Sequence, residues 1–353
     1  MAGISFAADG QAVFTGPRQP LDDLDRLPMP AWDLLPMDRY GRASRNHPHL
    51  AAVELGRGCP WACDFCVLWR QMGRFLDGRP APLLRTKSAA RVLEEVRTLA
   101  RRYGRRYLGW VDPCFNADPD VPGQVAELLL RDGLRLGQSA WVRADGLLRD
   151  ESSGALPQCV QAGLNEVYLG IERPDADGLR YLNKSHNGGE VRRAVRMLQE
   201  KHPEVFTVGS MIFGLPGDTP ATIRGLYRFA HELDLDMVFY IPLTPLPGTP
   251  YWRPELWDPT GRFFRSCDFL PGVQGDPLIA ELSRTLCWCF LLRWPWARLR
   301  WGLRGLTARD ARRRSIIRRH SVRGLAFAFR AIAGGLLHRE NADNMRYPAW
   351  YDT

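Results

Sequence analysis

A chain of 353 residues with 45% apolar and 25% charged side chains can form one large α/β domain plus an appendage, which excludes fibrous and low-complexity classes. Eight cysteines, three of them within eight residues, do not match the dense framework of a small disulfide-stapled domain and point to a reducing setting with a metal site. The net charge of +9 sits at one end, because residues 280–353 hold 15 Arg, no Lys and five acids, leaving about −1 for residues 1–279.

Met1-Ala-Gly-Ile opens without the charged and apolar regions of a secretory leader, so the expected location is cytoplasmic. Residues 1–49 are rich in Pro, Asp and turn-forming residues, as in TGPRQPLDDLDRLPMPAWDLLPMDRY, and read as an extended lead-in or connector. Leu50 opens a short apolar run, LAAVEL, followed by a glycine-flanked loop, GRGCPWACDFCVLWRQMGR. SAARVLEEVRTLARRYG then sets apolar residues at helical spacing behind a Ser cap. Strand and helix patterns alternate from there: RYLGWVD, DVPGQVAELLLRDG, RLGQSAWVRAD, ESSGALPQCVQAG, NEVYLGIE, GEVRRAVRMLQEK, FTVGSMIFG, TPATIRGLYRFAHELD and DMVFYIPLT. Six strands and five helices in this order are the pattern of parallel βαβ units. Right-handed crossovers curl such units into one sheet, and six are too few to close an eightfold barrel. The predicted fold is therefore a partial (βα)6 TIM-like barrel over residues 50–252, with a mostly helical, basic extension over 253–353. Two apolar stretches of that extension, 286–303 and 324–338, are interrupted by Arg residues or too short, so neither is expected to span a bilayer.

Cys59, Cys63 and Cys66 follow C-x3-C-x2-C spacing directly after the first strand. Three thiolates on so short a loop can converge on one soft centre, and soft ligands select zinc or an iron–sulfur cluster. Structural zinc normally takes four ligands, and no fourth Cys or His stands at finger spacing, since Cys114 is 48 residues on. A three-ligand cluster leaves one iron open to a further partner. The bland alternatives are a zinc knuckle or incidental loop cysteines.

The motif, with Phe65 immediately before its last Cys, resembles the signature of the radical S-adenosylmethionine superfamily. ELGRGCPWACDFC, WVRADGLL, AGLNEVYLGIE, MIFGLPGDT and IPLTPLPGTP are similar, in order and spacing, to the class whose members usually carry a cobalamin-binding domain ahead of the radical core. That class includes oxidative cyclases and methyltransferases. The resemblance covers about residues 20–252. It implies a 4Fe–4S cluster on Cys59, Cys63 and Cys66, reductive cleavage of S-adenosylmethionine to a 5′-deoxyadenosyl radical, and modification of a hydrophobic or tetrapyrrole-like metabolite. It also implies a reductant such as flavodoxin or ferredoxin. For cofactor binding it implies Phe65, Arg143 toward the methionine carboxylate, and Glu172 toward the ribose or amino group. Gly214, Pro216 and Gly217 are implied where backbone approaches the adenosyl group, and Thr244 at the same mouth.

Where relatives often show paired acids after the second strand, this chain has WVDPCF. Asp112 is kept as a contact to cofactor or substrate, and Cys114 is read as core filler. No Asp-x-His-x-x-Gly cobalamin motif occurs, and the chain opens in what looks like the connector that follows a cobalamin domain. Cobalamin is accordingly expected only if another chain supplies it. The Trp/Arg-rich tail (Trp288, Trp294, Trp296, Trp301) is read first as a cap on the barrel mouth and second as a peripheral contact with the anionic inner face of the membrane. Nucleic acid comes last, because no RNA-binding module is recognisable and only three Lys occur in an Arg-rich chain. The rival functions are a tRNA-modifying enzyme of the same chemistry and a non-catalytic cysteine-cluster binding protein.

Overall fold

The computed structural model of the chain describes residues 3–40, 47, 49–185 and 188–253. The expectations for the basic tail lie outside the described residues. The lead-in begins with an antiparallel hairpin, β1 (Ser5–Ala8) and β2 (Gln11–Phe14), which the sequence reading passed over. Its two-residue turn is Asp9-Gly10 with φ of 50° and 74°, the doubly left-handed geometry that suits a tight hairpin. Further on, Leu24 is buried, and Arg85, Arg91 and Arg105 donate to the carbonyls of Leu21, Leu27 and Tyr40. The connector is thus strapped to the domain by Arg side chains.

β3 (Leu50–Val53) starts the main sheet. The predicted loop, residues 56–74, contains β4 (Gly56–Cys59) and α1 (Leu68–Met72), and the stretch after it, to which the sequence reading gave no element, forms β5 (Arg74–Leu76), β6 (Arg79–Ala81) and β7 (Leu83–Thr86). α2 (Ala89–Arg101) begins behind Ser88, whose hydroxyl accepts from Arg91 N at 3.1 Å, and buries Val92, Val96 and Leu99. β8 (Tyr107–Trp110), α3 (Val121–Arg131) and β9 (Gly137–Val142) follow as the periodicity predicts. The next helical pattern resolves into two helices, α4 (Ala144–Ser153) and α5 (Ala155–Ala162), because Gly154 takes φ 84° between them. β10 (Leu164–Glu172), the short α6 (Ala176–Tyr181), α7 (Gly188–Lys201), β11 (Phe206–Phe213), α8 (Pro220–Glu232) and β12 (Met237–Pro242) complete the described chain.

The sheet has six strands in the order β12-β11-β10-β9-β8-β3, so every strand lies beside its neighbour in the predicted alternation. β3, β8, β9, β10 and β11 pair in parallel. β3 and β12 stand at opposite edges, the open arrangement expected of six βα units. Leu108, Ala140, Val167, Leu169 and Ile171 are fully buried, as strands covered by helices require.

The chain divides into two units. Residues 1–211, 235–240 and 246–251 form the first, which holds the cysteine loop, and the second contains 212–234 and 241–245. In the second unit Leu243 N donates to Phe213 O at 2.7 Å, and the capping box of Thr219 and Thr222 starts α8.

Candidate cofactor site on the cysteine loop

β4 runs antiparallel to β7, pairing Cys59 with Leu83 and Gly56 with Thr86. Gly58 has φ 92°, and a Cβ there would lie 1.9 Å from the Leu83 carbonyl oxygen, so only glycine lets the strand pass. Beyond Cys59 the loop folds on itself. Cys66 N donates to Cys63 O at 3.2 Å, and the buried Trp69 indole donates to the same carbonyl at 2.9 Å. A clasp holds the loop from outside: Asp64 N donates to Leu182 O at 3.0 Å and the Asn183 amide donates to Ala62 O at 2.9 Å. Cys63 is buried, while Cys59 and Cys66 are half-buried.

Asp112 lies beneath the base of the loop. Its two carboxylate oxygens accept from Leu55 N at 3.0 Å and Gly56 N at 2.8 Å. The sequence reading gave this residue to cofactor or substrate, but the structure directs its carboxylate to the strand that delivers Cys59. Burial pushes its pKa up to about 7, against the opposing effect of the two N–H bonds. Cys114 is buried, donates to Asn116 Oδ1 at 3.2 Å, and is pushed up to about 12 by burial.

Two cations flank the cysteines. Arg143 ends β9 with its guanidinium 4.1 Å above the Trp61 ring, held by both oxygens of Asp145 at 3.0 and 2.9 Å and by Ser185 Oγ at 2.8 Å. Asn116 fixes the Arg143 backbone at both N and O. Lys184 pairs with Glu172 Oε1 at 3.0 Å, and both side chains are only 6% exposed. Its Nζ stands 5.9 Å from the centre of the Phe65 ring. Desolvation is the largest effect on Lys184 and lowers its pKa, but the Glu172 charge, Cys63 and the hydrogen bond to Glu172 raise it, and the net direction is up. Glu172 itself takes φ 62° at a register shift of β10 against β11, a left-handed conformation that a carboxylate side chain rarely adopts.

Burial raises the Cys59 thiol and pushes Cys63 up to about 11, with Lys184 and Arg143 pulling both the other way. Soft-metal coordination needs thiolates, so these two cations favour the form that binds metal. Cys59, Cys63, Cys66, Phe65, Arg143 and Glu172 thus stand with Lys184 in one unit. Gly214, Pro216, Gly217 and Thr244 belong to the second unit. There Gly214 and Gly217 take φ 85° and 86° in a turn whose N–H groups at 214 and 215 donate to Asp218, and Thr244 Oγ1 donates to Pro242 O. Sequence reasoning missed Lys184, Trp61 and Asp145. The usable signal for Lys184 was its rarity, as one of three lysines in the chain.

Among known proteins, an uncharacterized methyltransferase of Pyrococcus horikoshii is 28% identical over 251 residues, 71% of this chain and 51% of that protein. The anaerobic magnesium-protoporphyrin IX monomethyl ester cyclase of Rubrivivax gelatinosus is 28% identical, covering 77% of this chain and 46% of its own length. The hopanoid C-3 methylase of Methylococcus capsulatus is 27% identical, with 71% and 45% covered. The chain spans about half the length of these curated relatives. In fold it is similar to the cobalamin-dependent S-adenosylmethionine radical enzyme OxsB, solved with aqua-cobalamin and S-adenosylmethionine bound, at a TM-score of 0.56 and 14% identity over 93% of this chain and 52% of that one. The sequence profile of the Radical SAM superfamily matches residues 53–230, half of the chain, from the strand before the cysteine loop into α8. By that match, the chain belongs to the Radical SAM superfamily.

Proposed function

We propose that this chain cleaves S-adenosylmethionine reductively at a 4Fe–4S cluster held by Cys59, Cys63 and Cys66. The radical so made would cyclise, oxidise or methylate a hydrophobic or tetrapyrrole-like metabolite. The observation that carries this reading is the clasped three-cysteine loop between two buried cations, Arg143 and Lys184. The donor set fits the cluster: three soft thiols on one loop, with no fourth ligand required. Among the described residues no three His, Cys, Asp or Glu side chains are grouped to hold a single metal ion. A cluster needs no such grouping, because each thiolate bonds a different iron.

When bound, the cluster supplies the electron that breaks the S–C5′ bond of S-adenosylmethionine and yields a radical able to abstract hydrogen. The chain's own residues prepare the site. Lys184 and Arg143 offset the negative charge of three thiolates and of the methionine carboxylate. Arg143 shares its fork with Asp145 and Lys184 is paired with Glu172, so each cation is held in place by a carboxylate before a further anion arrives. Glu172 offers its carboxylate to the ribose or amino group, and Phe65 presents a ring beside it. Gly214, Pro216, Gly217 and Thr244 are proposed for the adenosyl moiety on the strength of the resemblance. Burial of Cys63 limits water at the site.

The substrate class draws support from the named activities of the relatives, which act on a magnesium porphyrin ester and on hopanoids. An external one-electron donor such as flavodoxin or ferredoxin and a cytoplasmic location complete the proposal. Among the described residues no helix is long and apolar enough to cross a membrane. Anaerobic reconstitution should load about four irons per chain, with 5′-deoxyadenosine released on reduction. Changing Cys59, Cys63 and Cys66 together to Ala should abolish both. A triple variant that keeps its iron–sulfur absorbance refutes the assignment.

A further inference from the structure

The two faces of the six-stranded sheet differ. Towards the helices Leu108, Ala140, Val167 and Leu169 are at most 1% exposed. On the other face side chains repeat at every second residue, and Trp141 is 39% exposed while Val111, just past β8, is 55% exposed. The Trp141 ring stacks on Tyr168 with centroids 4.9 Å apart and planes at 28°. Tyr168 lies nearly parallel to Phe239, at 6.3 Å and 7°. The middle ring cannot swing, because its hydroxyl donates to Glu166 Oε1 at 2.5 Å and the other oxygen of Glu166 meets His47 Nε2 at 2.8 Å. Three rings contributed by β9, β10 and β12 therefore form a fixed aromatic wall whose Trp141 end is uncovered.

That wall adjoins the cofactor groups. Arg143 is two residues beyond Trp141, and Gly170 is two residues beyond Tyr168. A Cβ on Gly170 would come within 2.7 Å of Glu172 Oε1 and 3.0 Å of Lys184 Nζ, so the ion pair lies over the same sheet face as the rings. Two residues of strand are about 6.6 Å.

We propose that the uncovered face of Trp141, backed by Tyr168 and Phe239, binds a planar π-conjugated ring of the substrate. The proposal rests on the reading of the adjoining cysteine loop as the cofactor site. A flat conjugated ring adds one more layer to a stack already in register. Offset stacking favours such a layer beyond its buried area, which a saturated polycycle does not share. Val111, just past β8, is exposed on the same face.

The test titrates the anaerobically reconstituted full chain with protoporphyrin IX as the probe and follows the shift in porphyrin absorbance. Trp141→Ala should raise the dissociation constant on the order of tenfold, and Trp141→Phe should recover most of that loss. Val111→Trp, at a position already exposed, should also weaken binding by filling the space. Iron content and circular dichroism report whether each variant is folded. No binding by the wild-type chain, equal binding by wild type and both Trp141→Ala and Val111→Trp, or full displacement by an equal concentration of the saturated polycycle lithocholate overturns the proposal. Release of 5′-deoxyadenosine by the wild-type chain is measured alongside. Its absence removes the cofactor reading, whereas its presence with unchanged porphyrin binding in the variants removes only the aromatic wall.

Discussion

Asp112 is a buried carboxylate that holds the backbone leading into the cysteine loop. Its two oxygens hold the N–H groups of Leu55 and Gly56, four and three residues before the first cysteine. Its pKa is raised from the ordinary 3.8 to about 7, so the native chain keeps a proton that the unfolded chain releases over that interval. The stability carried by this group is therefore whole below pH 3.8 and is lost as pH climbs through about 7, with a slope approaching roughly 1.4 kcal/mol per pH unit mid-window. Asp112→Asn cannot titrate, and its single acceptor oxygen leaves one N–H poorly served, a loss of about 1–3 kcal/mol. Urea midpoints at pH 5 and pH 8 should show the wild type ahead of Asp112→Asn by more at the lower pH. A gap independent of pH would refute the linkage. None of this was legible in the sequence, where Asp112 was only an acid at a strand end. Lys184 was hidden for the same reason: a single residue in LNKS carries no period, and its meaning comes from Glu172 folded back at φ 62°.

Elements with a full turn or several alternations of pattern were readable. α2, α3 and α8 each repeat an apolar stripe behind a cap or proline, α7 repeats such a stripe too, and β9 to β11 are six to nine residues long. Elements of three to five residues were not, because they end before a period can show. Thus β4 and α1 hid inside one predicted loop, β5, β6 and β7 fell in the stretch after it that was given no element, and the β1–β2 hairpin has no buried face to mark it. The cysteine motif was nonetheless read correctly as a Gly-flanked segment, and the structure gives one glycine a specific task. Gly58→Ala would drive a methyl into the Leu83 carbonyl and force φ away from 92°, splitting β4 from β7. Iron bound after reconstitution should fall severalfold in Gly58→Ala, while Gly78→Ala, at a turn with open space around it, should bind as the wild type does. Equal iron in both variants would show that β4 pairing does not shape the loop.

The whole molecule separates its charge. Residues 1–279 are close to neutral, and the +10 is confined to 280–353. Each basic side chain near an anionic bilayer contributes about 1 kcal/mol, within a screening length of about 10 Å at 0.1 M salt. If the tail lies on an anionic membrane, the full chain floats with anionic vesicles at low salt, detaches at about 0.5 M salt and ignores neutral vesicles; no flotation under any condition leaves the cap, the first reading of the tail. Reversing Arg312, Arg313 and Arg314 to Glu should abolish flotation without changing the iron content. Flotation that survives the reversal would place the contact elsewhere. At the same scale, the clasp on the cysteine loop spans some 120 residues, from Ala62 to Asn183. A ribosome adding 5–20 residues per second makes the loop roughly 6–24 s before it makes the clasp. Strands β3, β8, β9 and β10 can add to one another in the order they are synthesised, each against its predecessor. During that interval the three thiols belong to a nascent chain whose loop is already shaped by β4 but not yet fastened. Order of synthesis therefore gives an iron–sulfur donor a period of readier access, before the clasp closes over a loop whose Cys59 and Cys66 stay half-buried.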